Sequence, residues 1–147
     1  MKKLFLVSSF KDVADKFTAF EKNLKGKRVT FIPTASNVEK VVFYVNQGRA
    51  ALEEMGLIID ELELSTANAK DIHTKIKNND FIYVTGGNTF YLLQELKRTG
   101  ADKLIIDAIH SGKLYIGESA GAIIVSANIA YVQGMDSRKK APNIENL

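Results

Sequence analysis

The sequence predicts an α/β fold, a three-layer αβα sandwich with a mostly parallel sheet. Short apolar runs alternate with longer amphipathic segments along nearly the whole chain. Strands separated by helices of this length pair in parallel, because the crossovers place helices on both faces of the sheet. The length of 147 residues, with 46% hydrophobic and 25% charged residues, is typical of one globular domain. We therefore expect a single α/β domain over residues 1–147.

The first half of the chain predicts strands and helices in strict alternation. Gly26 and Gly56 follow amphipathic segments and are expected to end helices. Pro33 ends the second strand, because proline cannot donate to a β-ladder. The predicted elements are a buried strand at Leu4–Ser8, a helix at Asp12–Leu24, a strand at Arg28–Ile32, a helix at Val38–Met55 capped by Ser36 or Asn37, and a half-exposed edge strand at Leu57–Leu64.

The second half continues the same alternation as far as residue 127. Its strands are short apolar runs, which are typical of strands buried in a parallel sheet. The predicted elements are helices at Ala69–Lys77, Thr89–Arg98, Asp102–His110 and Ala120–Ala127, and strands at Phe81–Val84 and Leu114–Ile116. The tail from Asn128 to Leu147 is mostly polar and contains Pro142, so we expect it to be a loop.

Composition and charge exclude several classes of site. The chain contains no cysteine, which removes disulfides, thiolate metal ligands and a cysteine nucleophile together. The net charge is +3 and the lysines are spread along the chain, which argues against a nucleic-acid partner. The apolar stretch Leu4–Val7 is too short for a signal peptide, and no run reaches the ~20 apolar residues of a membrane span. We expect a cytoplasmic protein with no membrane contact.

The strongest functional motif is the run Gly117-Glu118-Ser119-Ala120-Gly121. It lies between a predicted strand and a predicted helix, where Gly-x-Ser-x-Gly is typical of a nucleophile elbow. Ligands of an open parallel sheet bind beyond the carboxyl ends of the strands, so this turn is at the expected edge. We expect Ser119 to be a nucleophile and the Ala120 N–H to face a tetrahedral oxyanion. The alternative is a tight structural turn.

The run Gly86-Gly87-Asn88-Thr89 follows a second strand at the same edge. Two glycines let the backbone approach a ligand closely, so an N–H of this run, near Gly87, is the expected second oxyanion donor. Asn88 has two interpretations, a helix N-cap and a substrate contact, and both can hold. A glycine-rich connection with no ligand is the alternative for the whole run.

Glu118 precedes the predicted nucleophile directly. It could orient a water molecule or bind a basic group of the substrate, and its simpler interpretation is an exposed surface residue. We include Glu118 with Gly86, Asn88 and Thr89 as candidate substrate-binding residues.

The chain lacks an obvious base for Ser119. Its two histidines, His73 and His110, lie in helices that lead into strands, which puts them at the amino-terminal edge of the sheet. A strand of five residues separates the two edges by on the order of 15 Å. A general base must lie within about 3 Å of the proton that it takes. Neither histidine is therefore expected to serve Ser119 within one chain.

Three runs resemble the serine peptidase family of peptidase E, the aspartyl dipeptidases, to which cyanophycinase is related. They are Phe31-Ile32-Pro33, Gly86 to Phe90, and Tyr115 to Ala122. The resemblance implies a fold like the class I glutamine amidotransferases, which is flavodoxin-like, with Ser119 in place of their cysteine. It implies hydrolysis of small peptides with an N-terminal aspartate through an acyl-enzyme on Ser119. It also implies an oxyanion hole near Gly87 and Ala120, Asn88 at the substrate pocket, and no metal or organic cofactor.

The sequence departs from this family at two places. The position of Glu118 commonly holds an aromatic or other non-acidic residue in the family, so specificity can differ. The family's catalytic histidine follows a connection that resembles Met135–Leu147, where this sequence ends. We expect a truncated piece of an active peptidase. The alternatives are a short form that acts as a small-molecule or peptide binding module and a site completed by a partner subunit. Missing strands would leave an apolar edge that favours association, for example as a homodimer.

Two other interpretations fit the pattern less well. The main alternative from another class is a flavodoxin-like binding or signalling domain. A flavin phosphate site needs a Ser/Thr/Gly-rich loop after the first strand and a receiver domain needs acidic residues there, but Ser8-Ser9-Phe10-Lys11 contains no glycine and no acidic residue. An ordinary α/β-hydrolase shares the elbow but places more strands before it, and its aspartate and histidine follow it.

Overall fold

A computed structural model of the chain describes residues 2–125. Within these residues the strands form one five-stranded sheet in the order β1-β5-β4-β2-β3, and every neighbouring pair is parallel. The strands are β1 Lys3–Val7, β2 Arg28–Ile32, β3 Ile58–Glu61, β4 Phe81–Val84 and β5 Leu114–Glu118. The predicted α/β fold with a parallel sheet is confirmed.

Helices cover both faces of the sheet and make the three layers. Phe17 of the first helix and Leu52 of the second pack with Phe31 and Tyr83 on one face. Helices three to five pack on the other face, where Ile105 belongs to a second apolar cluster. The helices are α1 Ala14–Phe20, α2 Phe43–Glu54, α3 Ala69–Asn78, α4 Thr89–Thr99, α5 Ala101–His110 and α6 Ala120–Ile123, with short 3-10 helices at Lys11–Val13 and Thr34–Val38. No helix within residues 2–125 is long and apolar enough to cross a membrane.

An aromatic cluster fixes the β1–α1 connection against the sheet. Tyr83 stacks on Phe31 with ring centroids 5.1 Å apart, and Phe10 meets the same ring edge-on at 5.3 Å. Phe10 is fully buried and also contacts Phe17 of α1. Because aromatic pairs in these geometries add to the gain from burial, the loop after β1 is held in place at the carboxyl edge of the sheet.

The two edge strands differ from each other in how well they were predicted. β3 lies at an edge and is half-exposed, as its alternating pattern predicts. The prediction that the first strand is buried is wrong, because β1 forms the other edge of the described sheet. Its Leu4 and Leu6 side chains are 37% and 43% exposed, whereas Phe5 and Val7 pack on the aromatic side. An apolar run alone does not reveal whether one face or both faces of its strand are covered by other elements.

The start of α2 also differs from the prediction. The helix begins at Phe43 rather than at Val38, after a 3-10 helix, and its N-cap position has no side-chain cap. The prediction that Ser36 or Asn37 caps it is wrong. The Ser36 hydroxyl donates to the Pro33 carbonyl at 2.7 Å, and the Asn37 amide donates to Ser65 Oγ at 3.3 Å. A local bond such as that of Ser36 to Pro33 competes with helix formation.

Smaller differences concern other helix bounds. α1 covers only Ala14–Phe20 of the predicted helix at Asp12–Leu24, because a 3-10 turn precedes it and Glu21 is extended. α6 is observed from Ala120 to Ile123. The predicted end of this helix at Ala127 and the predicted loop over Asn128–Leu147 lie outside the described residues.

Candidate active site

Ser119 lies on the sharp turn between β5 and α6. Its backbone has φ 52° and ψ −106°, and within residues 2–125 it is the only residue other than glycine with a positive φ. A non-glycine residue held in such a conformation costs of order 1–3 kcal/mol and needs support from its surroundings. That support comes from its N–H, which donates to Val7 O at 2.8 Å, and from its carbonyl, which accepts from Ala122 and Ile123 at 2.9 Å. The strained elbow geometry is therefore present.

The two glycines of the motif allow β5 and α6 to pack against each other. A Cβ on Gly117 would lie 2.5 Å from the Gly121 carbonyl oxygen, and one on Gly121 would lie 2.2 Å from the Val84 carbonyl oxygen. Neither position can hold a side chain without moving backbone. The Tyr115 hydroxyl donates to Gly121 O at 2.5 Å, and burial raises the pKa of Tyr115. The elbow is thus fixed by backbone contacts.

The Gly86-Gly87 run lies beside this elbow, as the sequence predicts. A Cβ on Gly86 would lie 3.1 Å from Ser119 Cβ. Gly87 has φ +139°, and a Cβ there would lie 2.2 Å from the Ala35 carbonyl. The glycine pair therefore fits between Ser119 and the backbone that follows β2. Whether the N–H groups near Gly87 and Ala120 bind an oxyanion stays a prediction.

Asn88 is the N-cap of α4. Its Oδ1 accepts the Tyr91 N–H at 2.9 Å, and its own N–H donates to Ala35 O at 2.8 Å. Both Asn88 and Thr89 are buried, and neither lines the cavity described below. The capping interpretation of Asn88 is therefore observed, and the substrate contacts of Asn88 and Thr89 stay predictions.

Glu118 is buried beneath the turn, with 3% of its surface exposed. The interpretation of an exposed residue is wrong, because its Oε2 accepts the Phe10 N–H at 2.8 Å and ties β5 to the β1–α1 connection. Oε1 lies near the Tyr83 hydroxyl, but the two atoms form no hydrogen bond of normal geometry. Burial raises the pKa of Glu118, while Phe10, Tyr83 and Gly86 lower it in part. Burial first, and then the charge of Glu118, raise the pKa of Tyr83.

A cavity of about 680 Å³ opens over Ser119. This volume lies within the ~300–1,000 Å³ that is typical of sites for small ligands in proteins. Four segments line the cavity: the loop after β1, the segment from Glu39 into α2, and the two glycine-containing turns. The lining residues are Ser8, Ser9, Lys11, Asp12, Glu39, Val41, Phe43, Tyr44, Gln47, Gly86, Gly87, Glu118 and Ser119.

Sequence reasoning missed the side-chain walls of this cavity. The segment at Glu39–Tyr44 was assigned to the predicted helix at Val38–Met55, whereas α2 begins only at Phe43. Asp12 and Lys11 follow β1, which the sequence gives no reason to place beside β5. Knowledge of the strand order would have identified the loop after β1, because neighbouring parallel strands bring their carboxyl-end loops together.

Both histidines lie at the opposite edge of the sheet, as expected. His73 lines a separate cavity with Lys113, which directly precedes β5. His110 lines another with Lys2, which directly precedes β1. Within residues 2–125 no group of three or more histidine, aspartate or glutamate residues is arranged to hold a metal ion.

Comparison with known proteins gives a consistent result. The profile of peptidase family S51 matches residues 4–147. An uncharacterized peptidase of Listeria monocytogenes is 67% identical over 146 residues, which cover 99% of this chain and 71% of that protein. A peptidase E of Shigella flexneri is 32% identical over 113 residues, which cover 76% of this chain and 48% of that protein. A crystal structure from L. monocytogenes, provisionally named a peptidase E, superposes with a TM-score of 0.96 at 67% identity, over 99% of this chain and 72% of that one.

Proposed function

The chain belongs to peptidase family S51, and we propose that it is a serine peptidase whose nucleophile is Ser119. The substrates proposed are small peptides with an N-terminal aspartate. The observation that carries the proposal is the positive φ of Ser119 on a turn whose flanking glycines cannot be replaced without moving backbone. A strained serine at the N-terminus of a helix, facing a cavity, is typical of a nucleophile elbow.

The proposed reaction has two steps. Ser119 Oγ attacks the carbonyl carbon of the first residue, and its proton passes through a base to the amine of the second residue, which leaves. The C–N bond is broken and an ester links the first residue to Ser119. Water then attacks this ester, and the acid is released as the serine recovers its proton. The N–H groups of Gly87 and Ala120 are the proposed donors to the oxyanion of both steps.

Neither histidine of the chain is positioned to act as the base for this reaction. His73 and His110 are the only histidines of the sequence, and both lie at the opposite edge from Ser119. The family resemblance implies that the catalytic histidine follows a connection like Met135–Leu147. The proposal therefore requires that the site be completed by further residues or by a partner.

The aspartate preference rests on the resemblance and not on the charge of the cavity. Asp12, Glu39 and Glu118 line it, against the single cation Lys11 among the described lining residues. Such a wall favours the ammonium group of a free peptide N-terminus. Lys11 is the described side chain that could bind the β-carboxylate.

Covalent labelling tests the nucleophile. A fluorophosphonate probe should add to the protein, and Ser119→Ala should abolish the mass increase. Ser9→Ala is the matched control, because Ser9 lines the same cavity but lies on an ordinary loop. Hydrolysis of Asp-Leu should follow the same pattern. Labelling that persists in Ser119→Ala and disappears in Ser9→Ala would show that Ser9, and not Ser119, reacts with the probe, which would contradict the proposal.

A binding module for small molecules or peptides is the second candidate. It is favoured by the position of both histidines, which leaves Ser119 without a histidine partner among residues 2–125. In that case the protein would bind dipeptides, as measured by calorimetry, without labelling or turnover. Turnover that depends on Ser119 would eliminate this candidate.

A further inference from the structure

Apolar side chains line one side of the cavity mouth. We call Val41, Phe43 and Tyr44 the apolar rim. Val41 and Phe43 are 62% and 61% exposed, and Tyr44 is half-buried with its ring edge-on to Phe43 at 6.0 Å. Large apolar side chains in water are unfavourable by about 25 cal/mol per Å². A cluster of them at a cavity mouth indicates a surface that a ligand covers.

The apolar rim reaches the immediate neighbourhood of the nucleophile. Tyr44 Cε2 would lie 3.5 Å from a Cβ on Gly86, and that same Cβ would lie 3.1 Å from Ser119 Cβ. The rim is also a consequence of the late start of α2. Because the helix begins only at Phe43, the preceding segment is not helical and Val41 lies at the cavity mouth. A substrate bound at Ser119 therefore has the rim within reach.

The charges of the cavity decide which part of a peptide can meet the rim. Under the proposed function, the first residue carries an ammonium group and a carboxylate, both of which stay close to charged partners or water. The apolar rim offers neither. The second residue, which leaves on acylation, is the part of the peptide whose side chain can be apolar.

We propose that the apolar rim is the subsite for the second residue of the peptide, and that it selects apolar or aromatic residues there. This inference rests on the proposed function, because it assumes a peptide aligned on Ser119. It adds a substrate preference that the elbow alone does not define.

Binding measured without turnover tests the rim directly. Calorimetry on Ser119→Ala should give a tighter Kd for Asp-Leu than for Asp-Gly, by about tenfold, which corresponds to burying one aliphatic side chain. Val41→Ser combined with Phe43→Ser should reduce that ratio to below about threefold. Two matched controls should leave it unchanged. The first is Val42→Ser, because Val42 is exposed beside Val41 but does not line the cavity. The second is Phe20→Ser, which changes an exposed phenylalanine away from the cavity.

The outcomes separate this inference from the proposed function. Equal weakening of Asp-Leu and Asp-Gly by the rim variants, or a loss of stability with no change in either Kd, would overturn the subsite. Failure of both peptides to bind would overturn it too, while fluorophosphonate labelling of Ser119 would still support the nucleophile. A preference for Asp-Leu that the rim variants abolish, in a protein without turnover, would support the subsite and the binding-module function.

Discussion

The floor and the wall of the cavity are built by different means. The floor consists of Gly86, Gly87 and the turn at Ser119, where backbone packs directly on backbone. The wall consists of side chains from the loop after β1 and from the segment at Glu39–Tyr44, where charged and apolar groups face open space. Close backbone contacts restrict the residue type in the floor, most strongly at Gly87, whereas the wall consists of side chains that face open space. Chemistry is therefore expected to reside in the floor and specificity in the wall.

The largest effect should come from adding one methyl group to the floor. Gly121→Ala places its Cβ 2.2 Å from the Val84 carbonyl oxygen, and Gly87→Ala meets the Ala35 carbonyl at the same distance with an unfavourable φ. Backbone must move in both, so each should lower the free energy of unfolding by more than about 3 kcal/mol. Urea denaturation measures the loss.

Two other glycines provide the control for this prediction. Gly26 and Gly100 have φ +80° and +77°, but a Cβ on either meets nothing within 4 Å. Alanine there should cost only the strain of a positive φ, about 1 kcal/mol. If Gly121→Ala were no worse than Gly100→Ala, the floor would not be held by backbone packing.

The fold was largely predictable because its signals are local. Short apolar runs between amphipathic segments identified all five strands, and the half-exposed β3 was recognised from its alternation. Leu4 and Leu6 were misjudged because the exposure of an edge strand depends on the strand order, which is not a local property. The late start of α2 was missed because serine is also a common helix cap, so the sequence does not distinguish a capping Ser36 from one that bonds to the Pro33 carbonyl.

The site divides in the same way as the cavity. Gly117, Ser119 and Gly87 could be found from sequence, because steric demands leave a strict pattern of glycines. The wall could not, because a Val41 or an Asp12 acquires its role only from the folding of distant segments around Ser119. Glu118 was recognised as a neighbour of Ser119, but its buried contact is with Phe10, which lies 108 residues earlier in the chain.

A smaller change in the floor should separate catalysis from stability. Gly86→Ala has an allowed backbone conformation, yet its Cβ would lie 3.1 Å from Ser119 Cβ. The serine must then shift by a few tenths of an ångström, and displaced nucleophiles lose much of their rate. We expect kcat/KM for Asp-Leu, or the rate of fluorophosphonate labelling, to fall about tenfold or more, with a stability change below about 1.5 kcal/mol. An unchanged rate would show that the position of Ser119 tolerates this contact.

Glu118 connects the floor to the wall, and its charge should be visible in the pH dependence of stability. Its folded pKa is raised above the ordinary value of 4.5, chiefly by burial. Between these two values the native state binds more protons than the unfolded state, so stability falls as pH rises through this window. Glu118→Gln keeps an acceptor for the Phe10 N–H but cannot ionise, so it should remove the part of the pH-dependent loss of stability that is due to Glu118. Urea denaturation at several pH values measures it, with Glu54→Gln on the exposed face of α2 as the control. An identical pH profile in Glu118→Gln would contradict the prediction.

The smallest effect concerns Asn88, whose capping and substrate-binding interpretations can be separated by a matched pair. Asn88 caps α4 by accepting the Tyr91 N–H, and Asn68 caps α3 in the same way by accepting the Asp71 N–H at 2.8 Å. Alanine at either position should cost about 1 kcal/mol of stability. Asn88→Ser keeps a capping oxygen but loses the amide group. If Asn88 only caps, Asn88→Ser should restore stability and leave the Kd for Asp-Leu unchanged, whereas a weaker Kd in a stable Asn88→Ser variant would show that its amide contributes to the peptide site.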